Sequence, residues 1–348
     1  MNHVGKPWVI VLAGGSGVRL HPVTTPPSGR SVPKQFCRLD GRNSMLGVTL
    51  ARARTLAPVN QIAVVVVDEH RPWWERELAG IPPGNVLIQS RNRGTALALL
   101  HALLHVRGSD PEACVVVLPS DHVVDHEHIL NEAILEAVHE AKRCQGHVVL
   151  IGAASTVPDP SLGWIIPGRK SAGRIHKVRR FVEKPSLAVA DECVRRGALR
   201  NTLMLAASIP ALLKTYALAM PAWVDATDAD DDGLHARARA LTTISSDLPA
   251  MDLSRDILQW STRGLRVLPL PECGWTDIGT LDRLEAWWMR HPTAFEEVRQ
   301  SGVLPHAPWT PPSIRPRPAR DVGAYDRNEP AFAGHEHLNE ETAELIGR

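Results

Sequence analysis

The chain has no surplus of either charge: 39 Lys and Arg residues meet 38 Asp and Glu, a formal net charge of +1 over 348 residues. This excludes a nucleic-acid or other polyanion binder that works through bulk charge. Long apolar runs are also missing. None approaches the roughly 20 residues that a membrane span needs, which predicts a soluble protein with no membrane partner. Cysteine is sparse and scattered, at Cys37, Cys114, Cys144, Cys193 and Cys273, without a CxxC pair. That pattern fits reduced thiols and excludes a disulfide framework and a structural zinc site. Two Tyr and four Phe stand beside ten Trp, an imbalance that by itself decides nothing. The opening MNHVGKPWVIVLAGG leads from a strand-length apolar run into a Gly cluster rather than a cleavage site. No signal peptide is expected, and the expected location is cytoplasmic.

What is present points to an α/β fold. Apolar, mostly β-branched runs at 8–12, 62–67, 86–89 and 114–118 alternate with helical patterns at 45–56, 72–79 and 95–106. Such alternation marks a mostly parallel, Rossmann-like sheet covered by helices on both faces. A helix at 127–143 and a strand at 147–151 extend it. After Gly152, turn residues separate short extended pieces up to Phe181, which predicts a smaller mixed-sheet lobe; helices follow near 188–196 and 210–219. The acidic stretch Asp225–Asp232 reads as a solvated loop or helix start rather than a metal site. Six prolines fall between Pro305 and Pro318, so residues 291–348 are expected to form a poorly ordered or loosely docked tail. The expected division is a catalytic region over 1–290, with halves meeting near 152, and this tail. The basic segment Arg315–Arg320 is too short, and too poor in aromatics, to bind nucleic acid.

The strongest local signal is Leu12-Ala-Gly-Gly-Ser-Gly-Val-Arg-Leu20, directly after the first strand. A Gly-rich turn there lets backbone N–H groups approach a phosphate. It is neither a dinucleotide-binding fingerprint, which wants a small residue where Leu20 stands, nor a P-loop, which needs Gly-Lys-Ser/Thr. Arg19 and Lys34 supply cations of the kind a triphosphate requires. Asp121 ends a buried strand at the edge where open α/β sheets bind ligands, and Asp277 lies in a turn before a helix. Either could instead cap a helix. His101, His105, His122, His126 and His128 read as packing or solvated residues rather than metal ligands.

Leu12-Ala-Gly-Gly-x-Gly-x-Arg-Leu with Pro33-Lys-Gln-Phe36 resembles the signature of sugar-1-phosphate nucleotidylyltransferases, and PKQF resembles the mannose-1-phosphate guanylyltransferase branch. The resemblance continues in order through Asn92-Arg-Gly-Thr-Ala96, Leu118-Pro-Ser-Asp-His122, Phe181-Val-Glu-Lys-Pro185 and Gly274-Trp-Thr-Asp-Ile-Gly279. It implies a nucleotidyltransferase fold akin to the glycosyltransferase-A type, acting on GTP or another nucleoside triphosphate and a sugar 1-phosphate. It implies catalytic roles for Arg19, Lys34, Asp121 and Lys184, and nucleotide contacts at Leu12, Gly14, Gly15, Gly17, Gln89, Gly94 and Thr95. Sugar-phosphate contacts fall on Gly163, Glu183, Lys184 and Asn201, and a magnesium ion on Asp121 and Asp277. Magnesium takes oxygen ligands and commonly needs only one or two carboxylates beside substrate phosphates.

Three segments depart from the branch. Asn92-Arg-Gly-Thr stands where Gly-Arg-Asn-Thr is common, Arg200-Asn-Thr where Trp-Asn-Ser is usual, and Met251–Asp256 where Ser-Ile-Asp-Tyr is usual. They leave open a different sugar or base, or a weakly catalytic sugar-nucleotide-binding subunit. The length suits the short form without an isomerase domain. Trp287 and Trp288 are expected at a packing or dimer surface, so a homodimer is a possible assembly.

Overall fold

The computed structural model describes residues 5–25, 29–219 and 249–301. Asp225–Asp232, Arg315–Arg320 and most of the expected tail lie outside the described residues. Nine strands, β1 (Trp8–Leu12), β2 (Ile62–Val67), β3 (Val86–Gln89), β4 (Cys114–Pro119), β5 (Val148–Ala153), β6 (Gly163–Ala172), β7 (Ile175–Glu183), β8 (Leu199–Ser208) and β9 (Leu265–Leu270), form one sheet. Its order is β3-β2-β1-β4-β8-β5-β9-β7-β6. The β3-β2-β1-β4 half is parallel. Strand β8 runs antiparallel between β4 and β5, β9 is parallel to β5, and the β6–β7 hairpin closes the far edge antiparallel to β9. The expected α/β fold is therefore observed. Its mixed-strand lobe continues the main sheet, so no break between sheets marks residue 152.

Alternation along the strands feeds a core on each face. Trp8, Ile10 and Leu12 point to one side, where α4 (Gly94–Arg107) and α7 (Ile209–Ala219) bring Leu99, Leu103, Leu212 and Tyr216. Val9 and Val11 point to the other, covered by α2 (Met45–Leu56) and α5 (Glu127–Arg143) with Leu46, Leu50, Leu130 and Ile134. Helix α4 buries Ala96 to Leu100, Ala102 to Leu104 and Val106, because it packs against the sheet as well as α7 and the Leu253–Ile257 turn. Tyr216 closes its layer by donating its hydroxyl to the Ala96 carbonyl at 2.7 Å. Helix α2 starts at Ser44, whose Oγ accepts from Gly47 N at 2.9 Å, a side-chain N-cap. Two short helices, α1 (His21–Thr24) and α3 (Arg71–Glu77), and α6 (Leu187–Arg195), capped by Ser186, complete this part.

The C-terminal part corrects one expectation. After α8 (Leu281–Arg290), residues 292–301 are not a loose tail but helix α9 (Pro292–Ser301). Its Val298 is buried, Phe295 lies 5.4 Å from the Trp288 ring, and Glu297 pairs with Arg42. The Pro-rich appearance begins beyond this helix, which is why composition averaged over the whole tail hid it. Trp287 and Trp288 are 7% and 2% exposed. Trp288 Nε1 donates to the Leu39 carbonyl at 3.0 Å, and Trp287 stacks on His291. Both are packing residues. All five cysteines are free.

Candidate active site

The Gly-rich turn leaves β1 at the carboxyl end of the parallel strands, where its shape is fixed from below. Gln35 Nε2 donates to the carbonyls of Ala13 and Gly15, each at 2.9 Å. Gln35 is 2% exposed, so these bonds are shielded and hold the loop open toward the cleft. Gly17 has φ 63°, and a Cβ there would lie 2.7 Å from the Lys34 Cβ. Only glycine allows both the left-handed turn and the close passage of the lysine beneath it.

A cleft of about 420 Å3 opens above this turn. Leu12, Gly14, Gly15, Gly17, Arg19, Lys34, Gln89, Gly94, Thr95 and Asp121 all line it. All ten expected phosphate, nucleotide and catalytic positions of this half thus meet in one place. Arg19 is exposed and has no hydrogen bond or ion pair among the described residues, so its guanidinium is available to an anion. The wall at Gly94 is tightly built: φ is 81°, and a Cβ would overlap the Met251 carbonyl. Met251 N donates to Arg93 O, and Leu253 N to Thr95 Oγ1 at 2.8 Å. The base-side loop is therefore bound to the 251–253 segment.

Lys34 is 5% exposed and its Nζ bonds Asp121 Oδ2 at 3.0 Å and the Asp277 carbonyl. Burial pushes the Asp121 carboxyl up, but the Lys34 ammonium, with smaller help from His122 and hydrogen bonds, outweighs it and holds the group below its usual range. His122 is a packing partner as expected. Trp275 Nε1 donates to its Nδ1 at 3.3 Å, and burial lowers its pKa to about 4, so it is neutral near pH 7.

Neither aspartate caps a helix. Asp121 has a side chain 41% exposed to the cleft, which leaves carboxylate lone pairs free for a ligand. Both oxygens of Asp277 accept from Arg283 Nη1, at 2.6 and 2.5 Å. Arg283 Nη2 also reaches Asp159 and, at 2.8 Å, Ser161 Oγ. This arginine was not singled out in the sequence; at the start of an amphipathic helix it looks like a surface charge. Among the described residues no group of three or more His, Cys, Asp and Glu is placed to hold a metal. Of the two expected ligands only Asp121 presents a carboxylate to the cleft; Asp277 is absent from its lining and is held by Arg283. One cleft carboxylate still fits magnesium, which keeps most of its shell for phosphate and water.

The sugar-side residues form a neighbouring cluster. Gly163 and Glu183 face each other across the β6–β7 pair, and a Cβ on Gly163 would overlap Glu183 Oε2. Glu183 is buried, with a side chain 7% exposed, and its Oε2 has no hydrogen-bond partner. Burial, then the nearby Asp252 charge, raises its pKa. Lys184 has φ 46°, and its half-exposed Nζ lies 3.3 Å from Glu183 Oε1. Strand alternation would separate these neighbours; the left-handed turn instead keeps both side chains together. Asn201 Nδ2 donates to Ser254 Oγ at 2.9 Å. Asp252 lines the main cleft and caps the single turn at Leu253–Ile257, accepting from Ser254 N and Arg255 N. Arg200 is held over the Trp275 ring at 5.4 Å and donates to the Ala154 carbonyl.

This sheet, with its glycine turn, buried lysine and aspartate gathered at the carboxyl edge, defines an α/β nucleotidyltransferase. A family model described as nucleotidyl transferase matches residues 8–291, and the chain belongs to that family. It is 34% identical over 283 residues to the xanthan biosynthesis protein XanB of Xanthomonas campestris pv. campestris, covering 79% of this chain and 58% of the relative. It is 28% identical over 316 residues to the mannose-1-phosphate guanylyltransferase of Escherichia coli K12, covering 86% and 63%. The chain thus spans about three-fifths of the length of these curated relatives. Among solved structures it resembles the mannose-1-phosphate geranyltransferase of Thermus thermophilus, with a TM-score of 0.70, 27% identity, and 81% and 79% of the two chains covered.

Proposed function

We propose that the protein transfers GMP from GTP to mannose 1-phosphate, giving GDP-mannose and pyrophosphate. The observation that carries this reading is the convergence of the Gly14–Gly17 turn, Lys34 and Asp121 on one cleft, beside a cluster suited to a sugar phosphate. The names of the relatives support the sugar and the base. The acceptor's phosphate oxygen is already ionised near neutral pH, so no protein nucleophile is needed. The chain's work is alignment and charge stabilisation. Arg19 and the loop amides hold the triphosphate, and Lys34 fixes Asp121 while placing positive charge under the cleft. Lys184 reaches the acceptor phosphate, and Glu183 Oε2 and Asn201 take sugar hydroxyls. Gly163 leaves room for the ring. Gln89 and the 92–95 loop face the base. Asp121 would hold magnesium, which supplies neutralisation of phosphate charge when bound, while Asp277, held by Arg283, orders the loop whose carbonyl meets Lys34.

Such substrates favour a cytoplasmic location. Among the described residues no helix is long and apolar enough to cross a membrane. Pyrophosphate release with GTP, mannose 1-phosphate and magnesium tests the reading, followed by a panel of triphosphates and sugar phosphates. Turnover with the first pair above all others is expected; silence across the panel removes the enzyme reading, and a better pair replaces the substrates named.

A further inference from the structure

Three non-glycine residues have positive φ among the described residues: Lys184, Ile278 and Leu203, at 46°, 42° and 58°. The first two adjoin Glu183 and Asp277. Leu203 has no such neighbour role, yet a leucine in the left-handed region is sterically unfavourable and persists only where its surroundings impose it.

Here the imposition is visible. Pairing between β5 and β8 jumps from Leu150 with Leu205 to Gly152 with Asn201, so Ile151 alone faces residues 202–204, a bulge. Thr202 Oγ1 donates to the Ile151 carbonyl at 2.6 Å and accepts from Met204 N, and Leu203 N donates to Asn201 Oδ1 at 3.1 Å. Bulges beside active sites re-aim a side chain. This one delivers Leu203 into the cleft wall that Asp121, Thr95 and Asp252 share. On the other side, β4 pairs Val117 with Leu205, which carries Leu203 toward the end of β4 that leads to Asp121. Its side chain lines the cleft that holds Asp121, and its N–H bond to Asn201 ties it to the sugar-side cluster.

We infer that Leu203 is a specificity-determining residue: a half-buried apolar wedge, clamped by the bulge, that limits the size of the acceptor sugar. The inference rests on the sugar-phosphate reading above. A plain hexose 1-phosphate passes it. An acetamido group would have to share its volume, and the wedge offers that amide no hydrogen bond, so the N-acetylhexosamine 1-phosphate is turned away.

The test uses the full chain with Leu203→Gly and Leu203→Ala. Turnover with GTP is measured for mannose 1-phosphate and N-acetylglucosamine 1-phosphate, and binding of each acceptor is measured by calorimetry. The ratio of kcat/KM should move at least tenfold toward the N-acetyl acceptor in Leu203→Gly and less in Leu203→Ala, with the KM for GTP within twofold. Leu203→Gly should melt no lower than the parent, since glycine takes this backbone freely. A ratio unchanged within twofold in a folded variant overturns the inference, as does a changed KM for GTP with an unchanged acceptor ratio. A parent protein that turns over neither acceptor removes the proposed function. The calorimetric ratio then decides on Leu203 by itself, and binding of neither acceptor to parent or variant overturns it.

Discussion

Lys34 and Asp121, 87 positions apart in the chain, meet with Nζ 3.0 Å from Oδ2 at the floor of the cleft. The same ammonium holds the Asp277 carbonyl, so one buried side chain ties the loops after β4 and β9. Lys34→Met should therefore do more than remove a cation. Loss of one preorganised charge contact typically costs about 100- to 1,000-fold in turnover, and a loss of that size is expected in pyrophosphate release. Asp121 is held below its usual pKa, so its stabilisation is present above the unfolded value of about 3.9 and lost as pH falls through the folded one. In Lys34→Met that stabilisation should be missing at pH 7, seen as a lower urea midpoint. Asp121→Ala should abolish turnover while the protein stays folded; more than a tenth of the activity remaining would remove Asp121 from the catalytic floor.

A second pH effect lies away from the cleft. His101 on α4 is lowered to about 4, first by burial and then by the His105 charge, and its Nδ1 has no partner. Here the unfolded state binds the proton more tightly. Its contribution is full above about pH 6.5 and shrinks down to about pH 4. Between pH 7.5 and 5 the protein should lose about 2 kcal/mol from this group. Urea unfolding of the parent and of His101→Leu at both pH values checks it: the variant should show a correspondingly smaller loss, and an equal loss would mean that His101 titrates as an exposed group.

Gly163→Ala tests the sugar side. The added methyl overlaps Glu183 Oε2 and presses on Asn201 Cβ and Phe181 at 3.3 Å, so the Glu183 carboxylate must leave its place in the sugar cluster. The KM for mannose 1-phosphate should rise tenfold or more while GTP affinity, measured by calorimetry, stays within twofold. Equal effects on both substrates would place Gly163 in general packing.

Much of this was legible because the nucleotide half is built from local patterns. Runs such as Ile62–Val67 and helices such as Met45–Leu56 and Glu127–Arg143 carry their own periodicity, and the structure bounds them at those residues. The Gly-rich turn was legible because it directly follows β1; Lys34, in a short helical turn at Lys34–Phe36, was legible only through the Pro33-Lys-Gln-Phe36 resemblance. Strand β8 was not legible: its first residues, Leu-Arg-Asn-Thr, break the apolar pattern, and its insertion between β4 and β5 is a long-range pairing that no local signal specifies. The bulge that turns Leu203 follows from that pairing and was hidden with it. Helix α9 was hidden by the prolines that follow it.

Arg283 was illegible for the same reason, and it yields the sharpest remaining prediction. Its guanidinium joins Asp277 to Asp159 and Ser161, so the loop after β9 and the turn before β6 are held by one planar fork. The site side chains of both loops would lose their mutual placement without it. Arg283 is well buried, with a side chain 17% exposed, and Asp277 is 12% exposed, so removing the cation leaves two carboxylates facing each other with little solvent. Arg283→Ala should lower kcat/KM by about 10- to 100-fold, the range that a displacement of about 1 Å produces. It should also lower the melting temperature by several degrees. Arg283→Lys should restore stability better than activity, because an ammonium supplies charge but not the two-armed geometry. A double-mutant cycle with Asp159→Ala separates the arms. Coupling in kcat/KM as well as in stability is expected; coupling in stability alone would make Arg283 a structural tie without influence on the cleft.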